Sequence, residues 1–105
     1  MIKSPRPRVL LGKCYRVNCG CGELFVTCND LDGALFEVFC KLGKSGGCGA
    51  ATMEALGRAV SVGLRSNVDP HDFVKTLPGI ECHRSPSCLT AISGAIEEHI
   101  SEGKG

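Results

Sequence analysis

Apolar and polar positions in the first half of the chain follow the two-residue period of β-strands. Residues 24–28 place Leu, Val and Cys on one face, and residues 35–41 repeat this alternation, which predicts two strands. Between them, residues 29–33 are turn-forming types, so we expect a hairpin with a loop of several residues. Residues 9–17 are rich in Val, Leu and Tyr and predict a further strand, which ends in a tight glycine-containing turn at residues 19–22.

The period changes after a glycine-rich segment at residues 43–49. Apolar residues then recur at helical spacing and predict a helix from Cys48 or Ala50 to Arg65. Gly57 and Gly63 fall inside it, and we expect each to allow close packing against a sheet or another helix.

Two further helices are predicted in the second half. Asp69 and Pro70 are typical of a helix start, and residues 77–79 read Leu-Pro-Gly and end that short helix. Residues 85–101 predict the last helix. Strands followed by helices predict an α+β fold, in which a small antiparallel sheet of about three strands packs against two or three helices.

The length of 105 residues allows one small domain. Residues 1–8 contain two prolines and three basic side chains, so we expect a disordered basic arm. We assign residues 9–101 to the single domain and residues 102–105 to a disordered tail.

The charge is nearly balanced, with 12 basic and 11 acidic residues and a formal net charge of +1. This argues against a strongly basic nucleic-acid-binding surface and against an acidic tail. The apolar stretch after the basic start is too short for a signal peptide, and none is long enough to span a membrane. We therefore expect a cytoplasmic protein whose thiols stay reduced, so that its eight cysteines indicate metal or redox chemistry rather than a disulfide framework.

The cysteines divide by position. Cys14, Cys28 and Cys40 lie in predicted strands, and we expect them to pack in the core, where free cysteine behaves as a small apolar residue. The other five lie in turns, in a connector or at helix starts: Cys19, Cys21, Cys48, Cys82 and Cys88. Amide groups at a helix start stabilise a thiolate, the form that binds metal. No two candidates have the short spacing of a zinc knuckle, so spacing alone leaves a metal site open.

The order and spacing of several short motifs resemble the TSCPD domain family from about Cys14 to Ile96. The matching segments are residues 19–27, 36–39, 43–48, 54–58, 77–82 and 87–88. Residues 86–90 read Pro-Ser-Cys-Leu-Thr, whereas the family is named after Thr-Ser-Cys-Pro-Asp, so the Pro and Asp of that motif are missing here.

The resemblance implies a metal site and a biological setting. Four recurrent cysteines of the family correspond to Cys21, Cys48, Cys82 and Cys88, and zinc is the expected metal, with an iron–sulfur cluster as the alternative. The family occurs as free-standing proteins and at the C-terminus of adenosylcobalamin-dependent ribonucleotide reductases. The implied function is a zinc-binding accessory or regulatory module, whose expected partner is a ribonucleotide reductase or a related protein.

Several alternatives remain open from the residues themselves. Cys19 or His83 can join or replace a ligand, and self-association is a further option for the partner. A redox module would use Cys82 with Cys88, or Cys19 with Cys21, to relay reducing equivalents. A nucleic-acid-binding zinc module would use the arm at residues 3–8. No catalytic acid–base constellation is evident, so we expect no independent enzymatic activity.

Overall fold

The computed structural model describes residues 4–19, 22–43, 47–80 and 88–104. It confirms the α+β class, with a three-stranded antiparallel sheet in the N-terminal half and helices in the C-terminal half. The strands are β1 (Leu11–Cys19), β2 (Gly22–Leu31) and β3 (Ala34–Leu42), in the order β1-β2-β3. The helices are α1 (Gly47–Arg65), α2 (Pro70–Thr76) and α3 (Cys88–Lys104).

The turn between β2 and β3 is tighter than expected. Residues 29–31 continue β2, and Asp32 and Gly33 alone form the turn, with φ values of 54° and 82°. Two consecutive positive φ angles favour an Asp-Gly pair, because the twist of such a turn matches that of the flanking strands. A register irregularity between Asn29 and Asp30 accommodates the prolonged strands.

The core lies between one face of the sheet and α3. Leu24, Val26 and Cys28 point inward from β2, and Ile92 and Ile96 of α3 are fully buried within the same apolar cluster. The prediction that Cys28 and Cys40 are core residues is confirmed. Burial raises the pKa of each thiol to about 12, which keeps both protonated and unreactive.

The prediction that Cys14 is a core residue is wrong, because its side chain is exposed. Tyr15 pairs with inward-facing Val26, whereas Cys14 pairs with Thr27 on the opposite face. Since successive side chains of a strand point to opposite faces, this register places Cys14 on the outer face.

Helix α1 covers the free edge of β3. The Ser61 hydroxyl donates to the Val38 carbonyl at 2.7 Å and accepts from the Val38 amide at 2.9 Å. One side chain therefore satisfies both backbone groups that an edge strand leaves unpaired at this residue. At Gly57 an added Cβ would lie 2.9 Å from the Cys40 amide nitrogen, so the helix approaches the strand as closely as glycine permits.

The predicted start of α2 is confirmed, since the Asp69 carboxylate accepts from the His71 amide as an N-cap. Gly63 packs closely as expected, because an added Cβ would lie 2.9 Å from the Phe73 ring. Helix α3 continues to Lys104, so described residues assigned to the disordered tail are helical.

The described part of the N-terminal arm also makes specific contacts. Ser4 donates its amide to the Arg65 carbonyl at 2.8 Å. Arg6 donates two hydrogen bonds to the Glu37 carboxylate, at 2.8 and 3.0 Å, and Asn29 donates a third at 2.7 Å. Glu37 is only 1% exposed. Its burial favours protonation, but the hydrogen bonds from Arg6 and Asn29 hold the pKa of the Glu37 carboxyl below its ordinary value.

Within the described parts of the chain, the helices are too short or too polar to cross a bilayer.

We expect replacement of Gly57 by alanine to lower the free energy of unfolding by roughly 1–3 kcal/mol, because the new methyl group overlaps the β3 backbone. Gly94 is the matched control, since it also lies within a helix but has nothing within 4 Å of an added Cβ. Gly94→Ala should raise stability by roughly 0.5–1 kcal/mol through helix propensity. Urea denaturation measures both, and equal stabilisation by the two substitutions would contradict the close approach of α1 to β3.

We expect Arg6→Ala to destabilise the protein at pH 7 by leaving a buried carboxylate with fewer hydrogen-bond donors. Since the folded-state pKa of Glu37 is lowered, its contribution is present above about pH 4.3, the unfolded value, and is lost as the pH falls through the folded value. The difference between wild type and Arg6→Ala in urea midpoint should therefore shrink on acidification. Arg8→Ala, which alters an exposed neighbouring arginine, should behave like wild type at both pH values. A pH-independent effect of Arg6→Ala would exclude the carboxylate as its cause.

Candidate functional site

The candidate site depends on where the four family-related cysteines lie. Cys21 and Cys82 lie outside the described residues, as does the alternative ligand His83. Cys48 belongs to the first turn of α1, but its side chain is outside the described part. Cys88 is the first residue of α3 and is buried, so its position at a helix start agrees with the sequence analysis.

Cys88 lies directly against Cys19, the last residue of β1. Their Sγ atoms are 2.6 Å apart, and the residues are 5% and 8% exposed. The sequence suggests the redox pairs Cys82 with Cys88 and Cys19 with Cys21, whereas the described residues bring Cys19 against Cys88. The two cysteines are separated by 69 positions, and only the packing of α3 across the sheet brings them together.

The ends of several strands and helices meet around this thiol pair, in a region that we call the cysteine end of the sheet. Here β1 ends at Cys19 and β2 begins at Gly22, which pair with each other. The Gly43 amide donates to the Glu23 carbonyl at 2.9 Å, so the end of β3 is joined to the same place. Gly57 and Ser61 lie successively farther back along β3, which shows that α1 runs antiparallel to this strand and begins at the cysteine end.

The chemistry of the described side chains at this end suits a thiophilic metal. Cys19 and Cys88 supply two sulfur donors, and a helix N-terminus faces the second of them. Zinc binds thiolates at about 2.3 Å in a tetrahedral arrangement, which places two ligand sulfurs about 3.8 Å apart. The described residues contain no group of three or more potential ligands, so ligands from the remaining cysteines would have to complete a site.

A second polar cluster lies at the opposite end of the sheet, around His99 of α3. His99 is 7% exposed; its Nδ1 is 2.9 Å from the Tyr15 hydroxyl, and its Nε2 is 2.8 Å from a carboxylate oxygen of Asp30. The Tyr15 hydroxyl also donates to Glu102 at 3.1 Å, and Lys13 donates to the same Glu102 oxygen at 2.8 Å. The cluster therefore ties the end of α3 to β1 and β2.

The proton positions in this cluster are linked. A hydroxyl has a single proton, so when Tyr15 donates to Glu102, Nδ1 of His99 must donate to Tyr15. Nε2 of His99 lies at hydrogen-bond distance from the Asp30 carboxylate, so both ring nitrogens have partners within the protein. Burial, followed by the hydrogen bond to Glu102, raises the pKa of Tyr15, and the bonds from Lys13 and Tyr15 lower the pKa of Glu102. Tyr15 thus stays protonated at neutral pH and acts as a hydrogen-bonding group.

A shallow pocket of about 210 Å³ adjoins this cluster. It is lined by Asp30, His71 and His99 together with apolar residues that include Leu35 and Ile100. Typical ligand pockets have volumes of roughly 300–1,000 Å³. His71 is held by Asp69 through its Nδ1 at 2.9 Å, and both nitrogens of His99 are engaged within the protein. We therefore assign His99 a role in holding the fold together.

The sequence shows no nucleophile–base spacing around His99 and so does not predict its partners. The amphipathic pattern of the last helix, however, indicates that His99 is buried. His99 follows Ile92 and Ile96 on the face of α3 that is turned to the sheet, where a polar residue needs a hydrogen-bond partner.

Comparison with known proteins identifies a family but no individual relative. The model of the TSCPD domain matches residues 2–100. No curated protein and no solved structure matches the chain.

Proposed function

The chain belongs to the TSCPD domain family, and we propose that it is a small zinc-binding accessory module whose metal is held by four cysteines at the cysteine end of the sheet. The proposed ligands are Cys21, Cys48, Cys82 and Cys88. Zinc would join the β1–β2 turn to the starts of two helices and supply no catalytic step of its own. The activity of the module would consist of binding a partner protein.

The contact between Cys88 and Cys19 is the observation that carries this proposal. It places one proposed ligand in a buried, sulfur-containing environment at the point where β1 ends and α3 begins. The N-terminus of α1, where Cys48 lies, is at the same end of the sheet. Two of the four proposed ligands therefore belong to helix starts at one end of the sheet, where backbone amides favour thiolates.

A structural metal also suits the size of the domain. A chain of 105 residues buries a small core, and here that core lies on only one face of a three-stranded sheet. Structural zinc contributes roughly 10–16 kcal/mol of apparent binding free energy at pH 7, because the site forms only when the chain folds. Such a contribution would fix the positions of α1 and α3 where they begin.

The proposal of a protein partner rests on the family resemblance and on the surface. Val9 and Leu11 are 62% and 81% exposed at the start of β1, and no described strand pairs with the outer edge of β1. Exposed apolar side chains beside an open strand edge suit the addition of a segment from another protein. Ribonucleotide reductase, or a protein related to it, is the partner class that the resemblance favours.

We expect purified protein without an affinity tag to contain one zinc ion per chain, measured by metal analysis together with native mass spectrometry. Cys88→Ser should lower this content well below one, since a hydroxyl is a poor zinc ligand. Cys14→Ser is the matched control, because Cys14 is exposed on the outer face of the sheet and should leave the zinc content unchanged. A folded wild-type protein that remains metal-free after refolding with zinc would refute the proposed function.

The partner can be tested with a purified adenosylcobalamin-dependent ribonucleotide reductase from which its own C-terminal TSCPD domain has been removed. We expect the zinc-loaded protein to form a complex in sedimentation velocity, and we expect Leu11→Glu to weaken it by placing a charge at the edge of β1. Gly94→Ala, an exposed change in α3, serves as the control. Absence of a complex at concentrations of tens of micromolar would argue against this partner class while leaving the zinc site to its own test.

A further inference from the structure

Cys19 is a thiol outside the proposed ligand set that touches a thiol inside it. The Sγ atoms of Cys19 and Cys88 are 2.6 Å apart, and both residues belong to the same buried cluster. A disulfide requires two sulfur atoms that can reach a bond length of about 2.05 Å. The direct contact between these two thiols meets that requirement.

We propose that Cys19 and Cys88 are an oxidation site, at which peroxide forms an intramolecular disulfide that withdraws Cys88 from the metal. The metal part of this inference rests on the proposed function, whereas disulfide formation rests on the thiol pair alone. The site thereby gains a regulatory property, because one sulfur atom cannot be both a thiolate ligand and half of a disulfide.

The backbone holds both cysteines of this pair in place. Cys19 is held by strand pairing with Gly22, and Cys88 is held as the first residue of α3, whose Ile92 and Ile96 are fully buried in the core. Because the two sulfur atoms are already in contact, small side-chain rotations suffice to bring them to bonding distance.

The other described thiols do not offer an equivalent pair. Cys28 and Cys40 lie on neighbouring strands, and a pKa raised to about 12 keeps both as protonated, unreactive thiols. Cys14 is exposed on the outer face of the sheet, away from the inward-facing thiols of β2 and β3. Cys14 can react with oxidants alone or link two chains, so it is replaced by serine in the experiments below.

The chemistry balances with hydrogen peroxide as the oxidant. One thiolate attacks a peroxide oxygen, which forms an S–O bond, breaks the O–O bond and releases hydroxide. The second thiol then attacks the resulting sulfenic acid, forming the S–S bond and expelling the oxygen as water. Two thiols and one peroxide thus give one disulfide and two waters, with two electrons passing from sulfur to oxygen. A dithiol reductant reverses the reaction by thiol–disulfide exchange.

The test uses the full chain carrying Cys14→Ser, loaded with zinc and treated with hydrogen peroxide. Zinc release is followed with a chromogenic chelator, and disulfides are located by alkylation and peptide mass spectrometry. We expect a peptide pair linked through Cys19 and Cys88, release of zinc on the same time course, and recovery of both thiols and bound zinc after dithiothreitol and zinc are added.

Replacement of Cys19 provides the decisive comparison. The zinc content of Cys19→Ser and Cys19→Ala is measured before oxidation, alongside circular dichroism to establish folding. We expect both variants to bind zinc, to form no disulfide at Cys88 and to lose the peroxide-dependent release of zinc. Release at the wild-type rate, a disulfide between Cys88 and another cysteine, or loss of zinc binding from folded Cys19 variants would each overturn the inference.

A metal-free arm separates this inference from the proposed function. If the protein binds no zinc but peroxide still links Cys19 to Cys88, the proposed function fails and the oxidation site stands. If the protein binds zinc but neither form yields this disulfide, the zinc proposal stands and the oxidation site is refuted.

Discussion

The packing of α1 along the edge of β3 determines the arrangement of the rest of the molecule. A three-stranded sheet has two open edges, and here Ser61 satisfies the amide and the carbonyl of Val38 at one of them. This contact requires the helix to lie unusually close, and Gly57 makes that possible by presenting only a hydrogen atom to the backbone of Cys40. Because α1 runs antiparallel to β3, its N-terminus lies at the cysteine end of the sheet, where β1 also ends.

The sheet is therefore held differently at its two ends. Around His99, a chain of hydrogen bonds through Tyr15 and Asp30 fastens α3 to two strands without any external group. At the cysteine end, the described side chains offer sulfur contacts between Cys19 and Cys88. The hydrogen-bonding groups around His99 are satisfied within the protein, whereas the sulfur atoms at the cysteine end are soft donors that suit a metal. The cysteine end is therefore the candidate functional site.

The sequence predicted most elements because their local signals agree with their tertiary surroundings. The inward faces of β2 and β3, the N-cap at Asp69 and the packing glycines of α1 all follow from short-range patterns. The assignment of Cys14 to the core was wrong because the inward face of β1 carries the polar residues Lys13 and Tyr15, which bond to Glu102. Residues 13–15 therefore lack the alternation of apolar and polar side chains from which the inward face of a strand is predicted. The contacts Cys19–Cys88 and Arg6–Glu37 join residues 69 and 31 positions apart. The first depends on the packing of α3 and the second on the position of the N-terminal arm against β3, and single residues carry no local signal for either.

The direction of the two long helices has a consequence for how this domain can be attached to other proteins. Helix α3 starts at the cysteine end and runs toward the Asp30 side, while Ser4 is bound to Arg65 at the far end of α1. The two ends of the described chain therefore both lie on the side of the molecule opposite the cysteine end of the sheet. A domain fused to either terminus would therefore attach at the end of the module opposite Cys19 and Cys88.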